Sequence, residues 1–598
     1  MEPISTMTVL TRILGRSLGL PPVRTPRVRV ARDLGIPMAD GVRVLADRYH
    51  PADDEHVPLV LIRTPYGRAS MGLMARLIAE RGYQVLVVSL RGTGGSGGRF
   101  TGWNLESADG PALIAWLREQ DWFHGAFATW GASFLGYAQW ELAGAPVPEW
   151  KAALVQDAPA EVYATFMYRG GAFALHDWLG WAEQMHALAR PGGDSLLAGL
   201  LRLPGARRRV RSAAGRLPVT AADRAVTGES VDFFQDWLAH PEPGEFWDRS
   251  DHRDHAANMP PVVHLAGGWQ DIFLPGTIDR YAALREAGKQ VRLLVGPWTH
   301  GGGVMTRGYQ REAFAVLDHV LRGAGSPPSG SVRVFVPGAD RWEDHPEWPP
   351  VGQETARWRL RPGGRLEPGG SAPGDAGPDD DAPGEPSRFR YDPADPTPAV
   401  GGPRMYGGGV RDNRSLEARP DVLTFTGPEL PDDLDVHGTV AAEIHLRSSL
   451  SHTDVLARLC DVAPNGRSVN VCDGILRLTA QDEPDVDGVR AVRIDLWPTA
   501  YRFRRGHRLR LQVSGGAHPR YDRNLGTGDQ LGTEAVAVDQ EILHDAARPS
   551  AVLLPVPADG RRASPGLGPC RNVGDSKGRV AGCRTGDGYG VVAARTDR

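Results

Sequence analysis

Cysteine is scarce in this chain, which has Cys460, Cys472, Cys570 and Cys583 among its 598 residues. Four cysteines are too few for a disulfide-stapled scaffold, and no CxxC pair is present that would indicate a structural zinc site. The HExxH motif of zinc proteases is missing as well. The sequence therefore predicts no metal site.

Long apolar runs and a strong excess of one charge are also missing. An apolar patch at residues 9–14 is broken by Arg12 and lacks a signal-peptide cleavage site, and no stretch approaches the length of a membrane span. The net charge is only −4, which gives no indication of a nucleic-acid or membrane partner. We therefore expect a cytoplasmic protein, and the sequence leaves its oligomeric state open.

The whole chain is long enough for several domains. In its first part, strand and helix patterns alternate. Continuous apolar runs at residues 59–62 and 84–88 predict strands that are buried on both faces, with helical patterns between them. The alternation pauses and then resumes later in the chain. It predicts a mostly parallel sheet with helices on both faces, made of residues 25–161 and 256–325.

Three further segments differ from this core in composition. Residues 162–255 have helical patterns and many aromatic side chains, so we expect a helical cap inserted into the core. Residues 330–558 have short strands with a period of two, typical of a β-sandwich, interrupted by a loose loop at 361–388. Residues 561–598 are rich in Gly and Arg, with few large apolar side chains, and are predicted to form a disordered tail.

Four serines lie in glycine patterns that resemble a nucleophile elbow, the sharp turn that joins a buried strand directly to a helix. Ser17 has no strand before it, Ser371 lies in the loose loop, and Ser96 is followed by glycines that cannot begin a helix. Ser133 alone follows a predicted strand, at residues 126–130, and precedes a helical pattern. The context therefore selects Ser133 as the nucleophile.

A serine nucleophile needs a base within hydrogen-bond reach and an acid that orients this base. Asp271 follows the predicted strand at 262–265, and His300 follows the one at 291–295, each after a glycine-containing turn. Taken singly, Asp271 could be a helix N-cap and His300 a loop histidine. Their order after Ser133 is the Ser, Asp, His order of this architecture, which favours a catalytic triad.

Several segments resemble the cocaine esterase and X-Pro dipeptidyl-peptidase family of hydrolases, over about residues 25–557. They are the elbow at 130–136, the acid loop at 267–271, the histidine turn at 296–300, the loop at 63–67, the arginine-glycine turn at 91–98 and the segment at 518–524. The resemblance implies an α/β-hydrolase core with a helical cap insert and a C-terminal all-β jelly-roll domain.

The resemblance also implies an oxyanion hole formed by the Tyr66 hydroxyl and the backbone N–H of Phe134. The family often has Tyr at position 134, but a backbone donor makes this difference harmless. It also often has Asp where this chain has Ser89, which puts a structural ion pair of the arginine-glycine turn in doubt.

The predicted chemistry is two-step acyl transfer through a covalent acyl-enzyme, on a small-molecule or short-peptide substrate. It requires no metal and no cofactor. We expect the substrate pocket between core and cap, lined by Trp140, Phe166, Phe173 and Trp178, although each of these rings could equally belong to the interior of the cap. An aromatic lining favours esters or amides of aryl or bulky acyl groups.

The alternative activity is that of an X-Pro-type dipeptidyl-peptidase acting on free N-termini. Such an enzyme needs carboxylates near the acyl pocket to bind the α-amine, and Asp157, Glu161 and Asp177 are the candidates. Two readings of a different class remain. Residues 92–97 fit the glycine pattern of a dinucleotide site but do not open a helix at once, and the β-sandwich could serve a non-catalytic binding protein.

Overall fold

A computed structural model of the chain describes residues 6–190, 196–328, 330–369 and 385–558. The predicted disordered tail, with Cys570 and Cys583, lies outside the described residues, and so does Ser371. Cys460 and Cys472 are buried free thiols. None of the described helices is both long enough and apolar enough to cross a membrane.

The first part of the chain alternates between strands and helices, as its apolar runs predict. Strands β3 and β4 are buried along their whole length, because helices cover both faces of the sheet. The elements are α1 (Thr6–Ser17), β1 (Val28–Pro37), β2 (Arg43–Pro51), β3 (Leu59–Thr64), α2 (Arg68–Ala79), β4 (Gln84–Ser89), α3 (Asp109–Arg118), β5 (Phe127–Ala132), α4 (Phe134–Leu142) and β6 (Trp150–Gln156).

The inserted segment is mostly helical, and its aromatic side chains lie in a buried cluster that also includes Phe134 and Phe273 of the core. A π-helical turn (Tyr163–Met167) and a short hairpin precede the helices, and the hairpin was not predicted. The elements are β7 (Tyr168–Arg169), β8 (Ala172–Phe173), α5 (Leu175–Ala189), α6 (Leu196–Ala214), α7 (Ala222–Thr227), α8 (Asp232–Ala239) and α9 (Glu245–Asp248), with 3-10 turns at Val219–Ala221 and Arg253–Asn258.

The chain then returns to the first sheet and completes it. The added elements are β9 (Val262–Gln270), α10 (Leu274–Glu286), β10 (Gln290–Thr299), α11 (Arg307–Arg322), β11 (Val332–Val336) and β12 (Arg341–His345). The ten strands follow the order β1-β2-β4-β3-β5-β6-β9-β10-β11-β12. Strands from β4 to β11 are parallel, while β1, β2 and β12 pair antiparallel with their neighbours.

The position of β11 corrects the predicted boundary between the hydrolase core and the C-terminal sandwich. Its alternating pattern had placed it in the C-terminal sandwich, which was predicted to begin at residue 330, but β11 pairs parallel with β10 and extends the hydrolase sheet. Only every second residue of β11 is fully buried. A half-covered strand near the edge of a parallel sheet therefore has the same period of two as a sandwich strand.

The remaining strands form an all-β domain. They are β13 (Gln353–Arg361), β14 (Arg365–Pro368), β15 (Ser387–Tyr391), β16 (Val422–Thr426), β17 (Leu434–Ser448), β18 (Thr453–Val462), β19 (Ser468–Leu478), β20 (Val489–Phe503), β21 (Arg508–Ser514), β22 (Val538–Leu543) and β23 (Ala551–Pro557), with a short helix α12 (Arg414–Glu417). Pairing is antiparallel except for one contact between β14 and β16. The predicted loop at 361–388 contains β14 and the first residues of β15, so it is shorter than expected.

Candidate active site

Ser133 lies at the joint between β5 and α4 with φ 59° and ψ −128°, a conformation that non-glycine residues rarely adopt. The tight turn needs small neighbours. A Cβ on Gly131 would lie 2.5 Å from Leu135 Cβ, and a Cβ on Gly136 would lie 2.4 Å from Ala158 Cβ. The sequence around Ser133 therefore builds a strained elbow that presents the serine hydroxyl above the sheet.

The three residues of the predicted triad meet at the carboxyl ends of β5, β9 and β10. The distance between His300 Nε2 and Ser133 Oγ is 3.2 Å, and that between His300 Nδ1 and Asp271 Oδ2 is 2.7 Å. The first distance lies at the upper end of the range for a hydrogen bond and the second is short. Ser133, His300 and Asp271 thus form one continuous chain of contacts. Along the sequence, 138 positions separate Ser133 from Asp271, and 29 separate Asp271 from His300.

The acid loop is held from both sides. Asp271 is fully buried, and its Oδ1 accepts the N–H of Phe273 at 2.7 Å. Its backbone carbonyl accepts the indole N–H of Trp497, from the all-β domain, at 2.9 Å. These contacts leave Oδ2 facing His300, so the carboxylate is oriented before any substrate arrives.

The charge of Asp271 decides the protonation of His300. Burial lowers the pKa of His300, but the charge and the hydrogen bond of Asp271 raise it, and the net shift is upward. The pKa of His300 therefore lies above its ordinary value. Such an imidazole takes up a proton readily, which suits a general base for serine.

Donors for an oxyanion lie beside Ser133. Phe134 is the first residue of α4, so its N–H has no partner within the helix and lies at the positive end of the helix dipole. The Tyr66 hydroxyl accepts the indole N–H of Trp181 at 3.2 Å. Burial raises the pKa of the Tyr66 phenol, and side-chain hydrogen bonds with Trp181 and Ser133 partly offset this rise, so the phenol stays protonated and able to donate.

Two family profiles match the chain. Residues 40–302 match the X-Pro dipeptidyl-peptidase (S15 family), and residues 325–553 match the X-Pro dipeptidyl-peptidase C-terminal non-catalytic domain. The cocaine esterase of Rhodococcus sp. (strain MB1 Bresler) is 30% identical over 581 residues, covering 88% of this chain and 98% of that protein. The chain belongs to the cocaine esterase and X-Pro dipeptidyl-peptidase family. It is therefore a serine hydrolase, and the non-catalytic reading is set aside.

Solved structures agree on the fold. An aminopeptidase from the marine sediment archaeon Thaumarchaeota archaeon matches with a TM-score of 0.75 at 23% identity, covering 90% of this chain and 98% of that one. An α-amino acid ester hydrolase matches with a TM-score of 0.70 at 21% identity and the same coverage, 90% and 98%. The predicted fold class, an α/β-hydrolase core with a cap and a C-terminal all-β domain, is confirmed.

The arginine-glycine turn of this family member is a structural support. Ser96 Oγ accepts the N–H of Leu45 at 2.9 Å and donates to the carbonyl of Ser89 at 3.1 Å. A Cβ on Gly92 would lie 2.3 Å from the backbone nitrogen of Phe100, so the backbone of Phe100 packs directly against the turn at this position. Helix α3 begins only at residue 109, which argues against the dinucleotide reading.

The ion pair that Ser89 put in doubt is supplied by other residues. Arg91 bonds Asp109 at 2.5 Å and Asp40 at 2.7 Å. Ser89 Oγ instead accepts a hydrogen bond from Arg68 at 3.2 Å. The turn is therefore anchored despite the change from the family pattern.

The four predicted pocket aromatics lie in different places. Phe166 and Trp178 line a small cavity of about 20 Å³, and the Phe166 ring packs on Phe273, which in turn packs on His300. Phe173 packs inside the cap. Trp140 is fully buried in the core around the sheet, so its predicted place in the pocket is wrong. Its helix turns that side chain toward the core and away from the aromatic cluster of the cap.

Sequence reasoning missed the aromatics that lie next to the reacting groups. The Phe273 ring lies edge-on to His300 with centroids 5.2 Å apart, and Trp181 stacks on Phe134 at 5.9 Å. The position of Phe273, two residues after Asp271, was a usable signal. Nothing local in the sequence indicates that Trp181 reaches Tyr66.

A larger cleft opens between core and cap, and none of the four predicted aromatics is among its lining residues. It measures about 600 Å³ and extends from Tyr66 and the turn at 92–96 to the C-terminal end of α5 and the segment at 230–233. Phe100, Met185 and other apolar side chains share the lining with His186 and Arg190. A cleft of this size can hold a small organic substrate.

The three candidate amine-binding carboxylates also differ. Glu161 accepts hydrogen bonds from the backbone of Ala164 and Thr165, so it caps the π-helical turn. Asp157 lies beside the triad and accepts the N–H of Gly301 at 3.1 Å. Asp177 is buried at the small cavity, and its Oδ1 has no hydrogen-bond partner within the described residues.

Proposed function

We propose that this chain is a carboxylesterase that cleaves small ester substrates through a covalent acyl-enzyme. The acyl group of the substrate is apolar, either aryl or otherwise bulky. The single observation that carries the proposal is the hydrogen-bonded chain from Ser133 through His300 to Asp271. The positive φ of Ser133 adds support, because such strain in a non-glycine residue is typical of functional sites.

In the first step His300 Nε2 takes the proton of Ser133 as the serine oxygen attacks the ester carbonyl. The negative charge passes to the carbonyl oxygen, where the Tyr66 hydroxyl and the Phe134 N–H donate to it. The carbon–oxygen bond of the ester then breaks, and His300 gives its proton to the leaving alcohol.

In the second step His300 activates a water molecule, which attacks the acyl-serine and releases the acid and the free Ser133 hydroxyl. Asp271 stays ionised throughout. It fixes the tautomer of His300 and stabilises the imidazolium that forms in each half-reaction.

The surroundings of the triad support an apolar acyl group. Phe273, Trp181 and Phe134 lie around His300 and Tyr66, and aromatic walls favour flat or bulky apolar groups. The cleft of about 600 Å³ beside Tyr66 offers room for the remainder of the substrate.

The test compares two substrates, a short-chain p-nitrophenyl ester and a p-nitrophenyl benzoate, with wild type and Ser133→Ala. We expect wild type to cleave both and the variant to lose activity to the background rate, since removing the nucleophile leaves only binding and oxyanion contacts. A fluorophosphonate should label wild type and not the variant. Full activity in Ser133→Ala would contradict the proposal.

A dipeptidyl-peptidase is the second candidate, and one observation favours it. The buried Asp177 carries an oxygen that has no hydrogen bond within the described residues and contacts His176 Nδ1 only at 3.5 Å. Such an oxygen could accept a substrate α-ammonium. The test is cleavage of Ala-Pro-p-nitroanilide by wild type and Asp177→Asn. Cleavage as fast as that of the esters, lost in Asp177→Asn, would favour the peptidase; cleavage of the esters alone favours the esterase.

A further inference from the structure

A second buried carboxyl lies beside the triad. Asp157 directly follows β6, has φ 41°, and is 2% exposed. Its backbone N–H donates to Ala266 O at 2.8 Å, which continues the pairing between β6 and β9. A positive φ at an aspartate is strained, so the surrounding structure must hold this residue in place.

The side chain of Asp157 points at the base of the triad. One carboxyl oxygen of Asp157, one of Asp271 and a ring nitrogen of His300 all lie within 4.8 Å of one another. Asp157 Oδ2 accepts the N–H of Gly301 at 3.1 Å. Because Gly301 directly follows His300, this bond ties the turn that carries the base to the end of β6.

Hydrogen bonds show which of the two carboxyls holds the charge. Asp271 accepts two short bonds, from Phe273 N–H and from His300 Nδ1, both at 2.7 Å, whereas the bond from Gly301 to Asp157 measures 3.1 Å. Two carboxylates this close in a buried site are not both ionised at low cost. Burial, followed by the charge of Asp271, raises the pKa of Asp157 well above its usual range, so Asp157 carries the proton.

A neutral Asp157 is compatible with catalysis in a way that a charged one is not. With Asp157 protonated, Asp271 is the one carboxylate among the described residues that contacts His300 with a negative charge. Two negative charges at this distance would hold His300 as the imidazolium, which cannot accept the proton of Ser133.

We propose that Asp157 is a positioning residue of the triad, which holds the His300 turn through Gly301 and replaces Asp271 as the partner of His300 when the Asp271 carboxylate is removed. The proposal rests on the esterase function proposed above. It makes Asp157 act through His300, without any contact to the substrate.

The positioning role predicts different effects for two substitutions at the same site. Asp157→Ala removes the acceptor of the Gly301 N–H and should lower kcat by about tenfold or more, because small displacements of a base are costly. Asp157→Asn keeps an acceptor oxygen and should recover most of that loss, with KM little changed in both. Glu161→Gln, at a buried carboxylate that caps a turn, is the matched control and should keep kcat. Equal kcat in wild type and Asp157→Ala would overturn this role.

The replacement role is tested by a double-mutant cycle. Asp157→Asn is measured in wild type and in Asp271→Ala, in which the freed space and the lost repulsion allow Asp157 to ionise toward His300. We expect the loss of kcat/KM caused by Asp157→Asn to be at least about tenfold larger in Asp271→Ala than in wild type. The same factor in both backgrounds would overturn it.

Thermal unfolding followed by circular dichroism checks that each variant is folded. If the double variant is not, the crystal structure of Asp271→Ala decides: an Asp157 oxygen about 3 Å from His300 Nδ1 supports replacement, and an Asp157 still bonded to Gly301 alone overturns it. Ser133→Ala is measured in the same assay. An active Ser133→Ala contradicts the esterase function itself, whereas an inactive one with an additive cycle contradicts this inference alone.

Discussion

The proposed oxyanion hole depends on the phenol of Tyr66, together with the backbone N–H of Phe134. Its oxygen accepts from Trp181 at 3.2 Å, which leaves its own proton free to donate toward the reacting carbonyl. Tyr66→Phe keeps the ring and removes this donor. We expect kcat to fall by about 10²–10³ with little change in KM, since the bond strengthens as charge develops. Steady-state kinetics on the p-nitrophenyl ester checks this, with fluorophosphonate labelling as the control for an intact site.

We expect the ionisation of His300 to set the pH dependence of kcat/KM. The pKa of His300 is raised above its ordinary value by Asp271, against the effect of burial, and the base is active only when neutral. Activity is therefore present above this raised pKa and is lost as the pH falls through it, so kcat/KM should decline from a pH above about 6.5. A profile of kcat/KM from pH 5 to 9 checks this. A flat profile down to pH 5 would show that His300 is not the base.

At the residue scale the sequence predicted which three polar residues lie in contact. Ser133, Asp271 and His300 each follow a strand in the expected order, and this local pattern is enough to bring them to one edge of a parallel sheet. The pocket was less predictable. Trp140 and Trp178 are both buried aromatic residues on helices, and the sequence does not indicate which face of each helix packs in the aromatic cluster of the cap.

The joint between β5 and α4 is the element on which the proposed catalysis depends, because it carries Ser133. Gly136 packs so closely on Ala158 that an added Cβ would lie 2.4 Å away. Gly136→Ala should therefore push the start of α4 out of place, at a cost of about 1–3 kcal/mol in the free energy of unfolding, and should lower kcat as well. Chemical denaturation and ester kinetics check the two effects.

Gly308 provides the matched control for this substitution. It lies in α11, and a Cβ built on it meets no atom within 4 Å. Gly308→Ala should leave kcat unchanged and stabilise the protein by about 0.5–1 kcal/mol, because alanine loses less backbone entropy in a helix. If both substitutions had the same effect, close packing at the elbow would not be the cause.

At the scale of the whole molecule, the all-β domain contacts the site by hydrogen bonds to the acid loop. The Trp497 indole donates to the carbonyl of Asp271 at 2.9 Å, and Gln270 donates to the carbonyl of Val471 at 3.0 Å. The domain that the family profile describes as non-catalytic thus holds the acid loop from outside. We expect this contact to restrain the loop, since the domain contributes none of the three proposed catalytic residues.

Trp497→Phe removes this hydrogen bond and keeps an aromatic ring. A lost hydrogen bond of this kind is worth about 0.5–1.5 kcal/mol, so we expect kcat to fall a few-fold to about tenfold with KM unchanged. Trp358→Phe, a buried ring on β13, is the control and should affect stability more than kcat. An unchanged kcat in Trp497→Phe would show that the acid loop is rigid without the second domain.

The sequence by itself determined the fold class, the elbow and the meeting of Ser133, Asp271 and His300. Each of these residues belongs to a unit of a strand, a turn and one polar residue that are adjacent along the chain. Only the tertiary structure decided which sheet β11 joins, where Trp140 points, that Trp181 reaches Tyr66, and that Asp157 lies beside His300. These contacts join residues far apart in sequence. They follow from strand order and from the packing of helix faces, which local pattern does not specify.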